Sequence, residues 1–169
     1  MKKLMALVLA GAMALSMVAC GGSEPVAPES DVPPAEGLKI AIVSSPSGVD
    51  DGSFNENNYN GILAFIDANE GATVTPVREE TGDVAAAVQA VADIVADYDA
   101  IVCCGFQFAG IATIAQENPE VNFILVDSFP SDASGAEITV DNIYAMTFKE
   151  QESGFCAGIA AAMETQTGK

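Results

Sequence analysis

Residues 37–169 predict an α/β fold in which a parallel sheet carries helices on both faces. Two observations lead there. Short apolar runs such as Ile40-Ala41-Ile42-Val43 and Ile124-Leu125-Val126 suit strands buried on both sides, and they alternate with stretches whose apolar residues recur every three or four positions. Gly, Pro, Asp and Asn gather at the joints between the two patterns.

In chain order, residues 38–43 form the first strand. Residues 54–69 follow as a helix, with Tyr59, Ile62, Leu63 and Ile66 at helical spacing. Residues 73–77 are the second strand. Asp83 suits the N-cap of a helix whose Val84, Val88, Val91, Val95 and Tyr98 fall on one stripe. Residues 100–104 make a third strand ended by Gly105, and residues 108–116 a helix. Pro119 lies in the turn before a strand at 121–126. A shorter strand is expected at 138–144 and a helix at 149–163. In such a sheet the ligand site lies outside the carboxyl ends of the strands, which directs attention to loops 44–54, 78–83, 105–107 and 127–135.

The start of the chain has a different character. Lys2 and Lys3 precede an uncharged apolar run over 4–18, which leads into Met17-Val18-Ala19-Cys20. The run is too short for a membrane span and has the layout of a secretory signal. A Cys directly after a small residue is the bacterial lipidation arrangement, although Met17 stands where Leu is usual. An ordinary signal peptide with an incidental Cys is the alternative, but Cys20-Gly21-Gly22-Ser23 opens straight into a polar tether. Residues 1–19 are therefore expected to be a signal peptide and residues 20–36 a lipidated Cys20 with a disordered tether. The tether offers only Val26 and Val32 as larger apolar side chains. A coil of this length reaches about 20–25 Å, enough to hold a domain clear of lipid headgroups on the extracytoplasmic face of the cell membrane.

The full sequence carries a formal charge of −18, and cleavage before Cys20 removes two lysines and no acidic residue. A field of that sign excludes nucleic acid and anionic lipid as partners. It names no ligand. Among the four cysteines, Cys103, Cys104 and Cys156 are expected as buried small hydrophobes. Without His or a Cys-x-x-Cys pair, neither a zinc site nor a redox motif is supported, and no cofactor is expected. Phosphate-cradling glycine motifs are missing, Asp50-Asp51-Gly52 lacks the alternating carboxylates of a calcium loop, and no hydrolase triad can be assembled. A carboxylate pair of Asp50 or Asp51 with Asp127 is the one catalytic alternative to a chain without enzyme activity.

The loop after the first strand is the richest in chemistry, running from Ser44 through Asp50-Asp51-Gly52-Ser53-Phe54-Asn55 to Asn58. A Phe at a helix start beside the sheet mouth can offer its face to a flat ligand. It can equally staple the helix to the domain, with the Asp and Asn residues as caps.

Three strings, Asp51-Gly52-Ser53-Phe54-Asn55, Gly105-Phe106-Gln107-Phe108 and the run from Pro119 to Asp127, together with the stretch from Phe148 to Gly158, resemble the basic membrane protein (BMP) family of lipoproteins. The resemblance runs in order over about residues 38–169. It implies the first lobe of a type I periplasmic-binding two-lobe fold, with a second lobe missing and residues 165–169 as the turn before it. It also implies a nucleoside receptor that delivers its solute to an ABC transporter permease and ATPase. By the same resemblance, Phe54 stacks on a base, Asp51 and Asn55 hydrogen-bond its edge or the sugar, Gly105 brings backbone close to the ligand, and Asp127 closes the fourth strand. Glu56 stands where Gln is frequent and Tyr59 where Trp is common, departures that bear on which solute is bound. A surface enzyme acting on nucleosides, an adhesive surface antigen with no small ligand, and a receptor of the same fold for a sugar or signalling solute are the competing readings. Glu152 either faces the cleft or pairs along its own helix, and Gly154 and Gly158 are expected to permit close helix packing.

Overall fold

The structure, a computed structural model, describes residues 37–167. The signal peptide, Cys20 and the tether lie outside the described residues. Five strands form one sheet: β1 Lys39–Ser44, β2 Thr73–Arg78, β3 Ala100–Cys104, β4 Asn122–Val126 and β5 Ile143–Met146. All pair in parallel, in the order β2-β1-β3-β4-β5. The helices are α1 Phe54–Ala68, α2 Val84–Ile94, α3 Ala112–Glu117 and α4 Glu150–Glu164.

Strand side chains alternate between faces, so each central strand feeds two cores. Ala41, Val43, Ile101, Cys103, Phe123 and Leu125 face one way and pack with Ala87 and Val91 of α2, Phe108, Ile111 and the start of α3. Ile40, Ile42, Val102, Cys104 and Val126 face the other way, against Ile62 of α1. Adjacent Cys103 and Cys104 therefore enter different cores, both buried and free. Burial pushes the Cys104 thiol up to about 12, and Cys103 higher still, so both are poor nucleophiles. Strand β2 lies at the edge of the sheet. It tolerates Pro76, which lacks an N–H for the ladder.

Several expectations shift. The α2 stripe ends at Ile94 and passes into a 3-10 turn over Val95–Asp97, and a 3-10 segment over Phe106–Ile111 precedes α3. The fifth strand is Ile143–Met146, not residues 138–144. Ile138 and Val140 still pack on the first core, but from irregular chain. Asn142 ends that stretch, its Nδ2 donating to the carbonyls of Ala115, Asn118 and Val121 at 2.8–2.9 Å. The chain is thus pinned to the end of α3, and the ladder begins only beyond it.

Helix α4 is exposed along its whole length. Cys156, expected to be buried, is exposed on it, as are Phe155 and Met163 at 70% and 81%. Open space surrounds the Cβ positions of Gly154 and Gly158, so no close helix packing uses them here. Lys149 and Glu152 form an exposed ion pair at 3.5 Å, the second of the two readings of Glu152.

Candidate functional site

In the order β2-β1-β3-β4-β5 the chain leaves β1 in one direction and β3 in the other, so loops diverge at the carboxyl ends of these two strands. That crevice is where open α/β sheets take ligands. A cleft of about 210 Å³ sits there, lined by Ser45 after β1, Phe54 and Asn55 at the start of α1, Cys104 to Gln107 after β3, and Asp127 after β4. Phe54 and Asp127 also border a second cleft of about 440 Å³, with Asn57, Asn58, Phe148 and Glu150. Four of the residues singled out in the sequence, Phe54, Asn55, Gly105 and Asp127, thus come together at one crevice. Asp51 is not among its lining residues.

Asp51 instead builds the wall. Ser53 precedes α1 but makes no side-chain cap. The Asp51 carboxylate accepts from the backbone N–H groups of Ser53 at 2.9 Å, Asn55 at 3.2 Å and Glu56 at 3.1 Å. Those bonds, led by the one from Glu56 and opposed by partial desolvation, hold its carboxyl below the ordinary aspartate range. Glu56 reaches back to accept from Gly52 N–H at 2.8 Å, which gives the helix start a reciprocal pair of caps.

Asn55 is 2% exposed. Its Nδ2 donates to the Asp51 carboxylate and to Ser45 Oγ, both at 2.9 Å. Its Oδ1 is buried with no hydrogen-bond partner, alone among the described side-chain polar atoms in this respect. An unsatisfied buried acceptor costs about 1–3 kcal/mol, so the helix start holds Asn55 at some expense in stability.

Phe54 is 36% exposed and belongs to neither core cluster, which favours the cleft-facing role over the staple. Gly105 has φ +112°, a left-handed conformation that favours glycine. A Cβ there would lie 2.5 Å from Gln107 Oε1, and Gln107 is itself held by donating to the Cys104 carbonyl at 2.9 Å. Asp127 sits at φ +66° with its N–H donating to the Met146 carbonyl at 2.6 Å. Burial, and then the Glu150 carboxyl beside it, push the Asp127 carboxyl up.

Two of the loops flagged in the sequence turn inward on themselves. Glu79 accepts from Thr81 N–H, Thr81 Oγ1 and Gly82 N–H, and Asp132 from Ser134 N–H, Ser134 Oγ and Ala136 N–H. Neither residue lines the crevice. Sequence reasoning missed Phe106, 73% exposed at the cleft, while its neighbour Phe108 is fully buried. Loop 105–107 was flagged, but periodicity does not separate the two rings in a 3-10 segment. Phe148 and Glu150 were missed as well. Their signal is position, since they follow the carboxyl end of β5 as the other lining residues follow theirs.

Comparison with known proteins places this geometry in context. The family model Bmp, described as "ABC transporter substrate-binding protein PnrA-like", matches residues 38–169. The "ABC transporter nucleoside-binding protein BmpA" of Lactococcus lactis subsp. cremoris is 30% identical over 141 residues, 78% of this chain and 36% of that one. The "CD4+ T-cell-stimulating antigen" of Listeria innocua is 26% identical over 94% of this chain and 46% of its own length. A solved ABC transporter solute-binding protein from Conexibacter woesei superposes with a TM-score of 0.56 at 25% identity, over 74% of this chain and 40% of that one. One from Aeropyrum pernix gives 0.60 at 24% identity, over 74% and 32%. The chain spans less than half the length of each of these relatives.

Proposed function

The chain belongs to the Bmp family, the PnrA-like ABC transporter substrate-binding proteins, and from that premise we propose that its crevice is half of a nucleoside site. The observation that carries the reading is Phe54. It is a large aromatic at the switch point of the sheet, joined to neither core, beside Asn55, Gly105 and Asp127. A ring in that place gives a base a face to stack on. Asp127 and Glu150 add acceptors at the wider cleft, which suit the hydroxyl donors of a sugar. The name of the Lactococcus relative supports the nucleoside among possible solutes.

The first lobe in this reading is built from β1 to β5. Helix α4, exposed along its length, is the last element of this lobe and offers its apolar stripe to the second. The ligand is enclosed when the two lobes meet. Cys20 carries the lipid that holds the receptor at the extracytoplasmic face of the cell membrane, and an ABC permease and ATPase take the solute from it. Among the described residues no helix is long and apolar enough to cross a membrane.

The test is identification by mass spectrometry of the small molecule retained by the full-length protein after mild purification, followed by titration calorimetry with that molecule and with adenosine. A retained nucleoside that binds back stoichiometrically is the expected result. A sugar or amino acid in its place, with no heat from adenosine, overturns the nucleoside assignment.

A further inference from the structure

The orientation of the Asn55 amide is fixed by its partners. Its Nδ2 is committed to the Asp51 carboxylate and to Ser45 Oγ. Turning the amide over would set Oδ1 against the Asp51 carboxylate, acceptor against acceptor. Asp51 cannot move to relieve that contact, because its two oxygens also hold three backbone N–H groups at the start of α1. The amide is therefore locked with Oδ1 unpaired, in a residue that is 2% exposed and lines the cleft shared with Phe54 and Phe106.

We infer that Asp51 is a positioning residue for ligand choice: by fixing the Asn55 amide it presents Oδ1 as an acceptor, and so selects nucleosides whose base carries an N–H donor on its edge. The inference rests on the nucleoside reading for its ligand, but the lock between Asp51 and Asn55 does not. A base with only acceptors along that edge leaves Oδ1 buried and unpaired in the complex as well. One with an amino group or a ring N–H supplies the partner that the protein lacks. Asp51 itself need not touch the solute, which agrees with its place behind the cleft wall.

The experiment uses the full-length protein and three probes with the same ribose and a purine ring: adenosine with an amino group, inosine with a ring N–H, and purine riboside with no donor on its base. Adenosine and inosine are expected to bind at least about tenfold more tightly than purine riboside, the scale of one hydrogen bond to an otherwise unsatisfied buried acceptor. Asp51→Ser keeps an oxygen that can cap α1 but removes the obligate acceptor facing Nδ2. This variant should lose most of the preference while still melting cooperatively, somewhat below the parent temperature because the caps on α1 are weakened. Equal affinity of the parent for all three probes overturns the selection, as does an undiminished preference in Asp51→Ser. Side-chain amide NMR reads the lock without ligand. The Asn55 NH₂ resonances should move strongly in Asp51→Ser, and their standing unchanged overturns the lock. If no probe binds the parent, the nucleoside reading fails and the selection with it, while the amide resonances still decide the lock.

Discussion

The loop from Ser45 to Glu56 and the helix α4 both contribute lining residues at the crevice, and they are built in opposite ways. In the loop, Asp51 and Glu56 satisfy the backbone of the helix start from within, Asn55 is buried, and Gly48 and Gly52 take the left-handed turns. In α4, no residue is buried, and apolar Phe155, Ile159 and Met163 stand exposed at a spacing of four. The first segment is finished by this stretch of chain. The second has an apolar stripe of the kind that helices bury against a further layer. The loop finds its packing partners within residues 37–167 and α4 does not, and the binding properties should divide along the same line.

The largest effect expected is that of the second lobe proposed above. Clefts of this class cover about 70–90% of a small ligand, and one lobe leaves the polar groups of the site in competition with water. Residues 37–169 alone should bind adenosine in the millimolar range or not measurably, beside much tighter binding by the full-length receptor. Calorimetry of the two side by side checks this, and sub-micromolar binding by the single lobe would erase the contrast.

The next effects separate residues within the finished wall. Phe54→Ala in the full-length protein should weaken nucleoside binding by about 1–3 kcal/mol, the range for base–aromatic stacking. Its melting temperature should shift little, because the ring joins neither core. A mutant that binds normally yet melts far earlier would make Phe54 a staple. Acid should act on the loops more than on α4. The carboxyls of Asp51, Glu79 and Asp132 are held below their ordinary values by hydrogen bonds. Depressed carboxyls contribute stability that is present above the unfolded values, near 3.8 for Asp and 4.5 for Glu, and lost as pH falls through the folded ones. Asp127 works the other way: its raised carboxyl burdens the fold at neutral pH and is relieved as pH drops. Melting curves followed down through this range should show a net loss, with three groups against one. The smallest effect belongs to α4, where Glu152→Ala breaks only the exposed pair with Lys149 and should change stability by less than about 0.5 kcal/mol.

How much of this was legible in the sequence follows from the physics of each element. Buried parallel strands are continuous apolar runs, so β1, β3 and β4 can be read directly. The fifth strand misled because Ile138 and Val140 have the alternation of a strand, but they are half-buried and buried, respectively, by side-chain packing, with Asn142 tying the chain elsewhere. At the site, residue type and position single out Phe54 as a ring at the sheet mouth, whereas Gly105 is singled out only through the family resemblance. Phe106 and Phe108 differ by the geometry of a 3-10 segment, which no period encodes. The division of labour between Asp51 and Asn55 was hidden for another reason. Either can cap a helix or meet a ligand, and only the bonds around the helix start decide which does which.

Whether this crevice receives a base on Phe54 is measured most directly by a crystal structure of the full-length protein grown with adenosine. The purine ring is expected against Phe54, with its amino group within hydrogen-bond distance of Asn55 Oδ1 and the ribose near Asp127. Adenosine seated away from Phe54 and Asn55, or a closed cleft that holds no base at all, would contradict that placement.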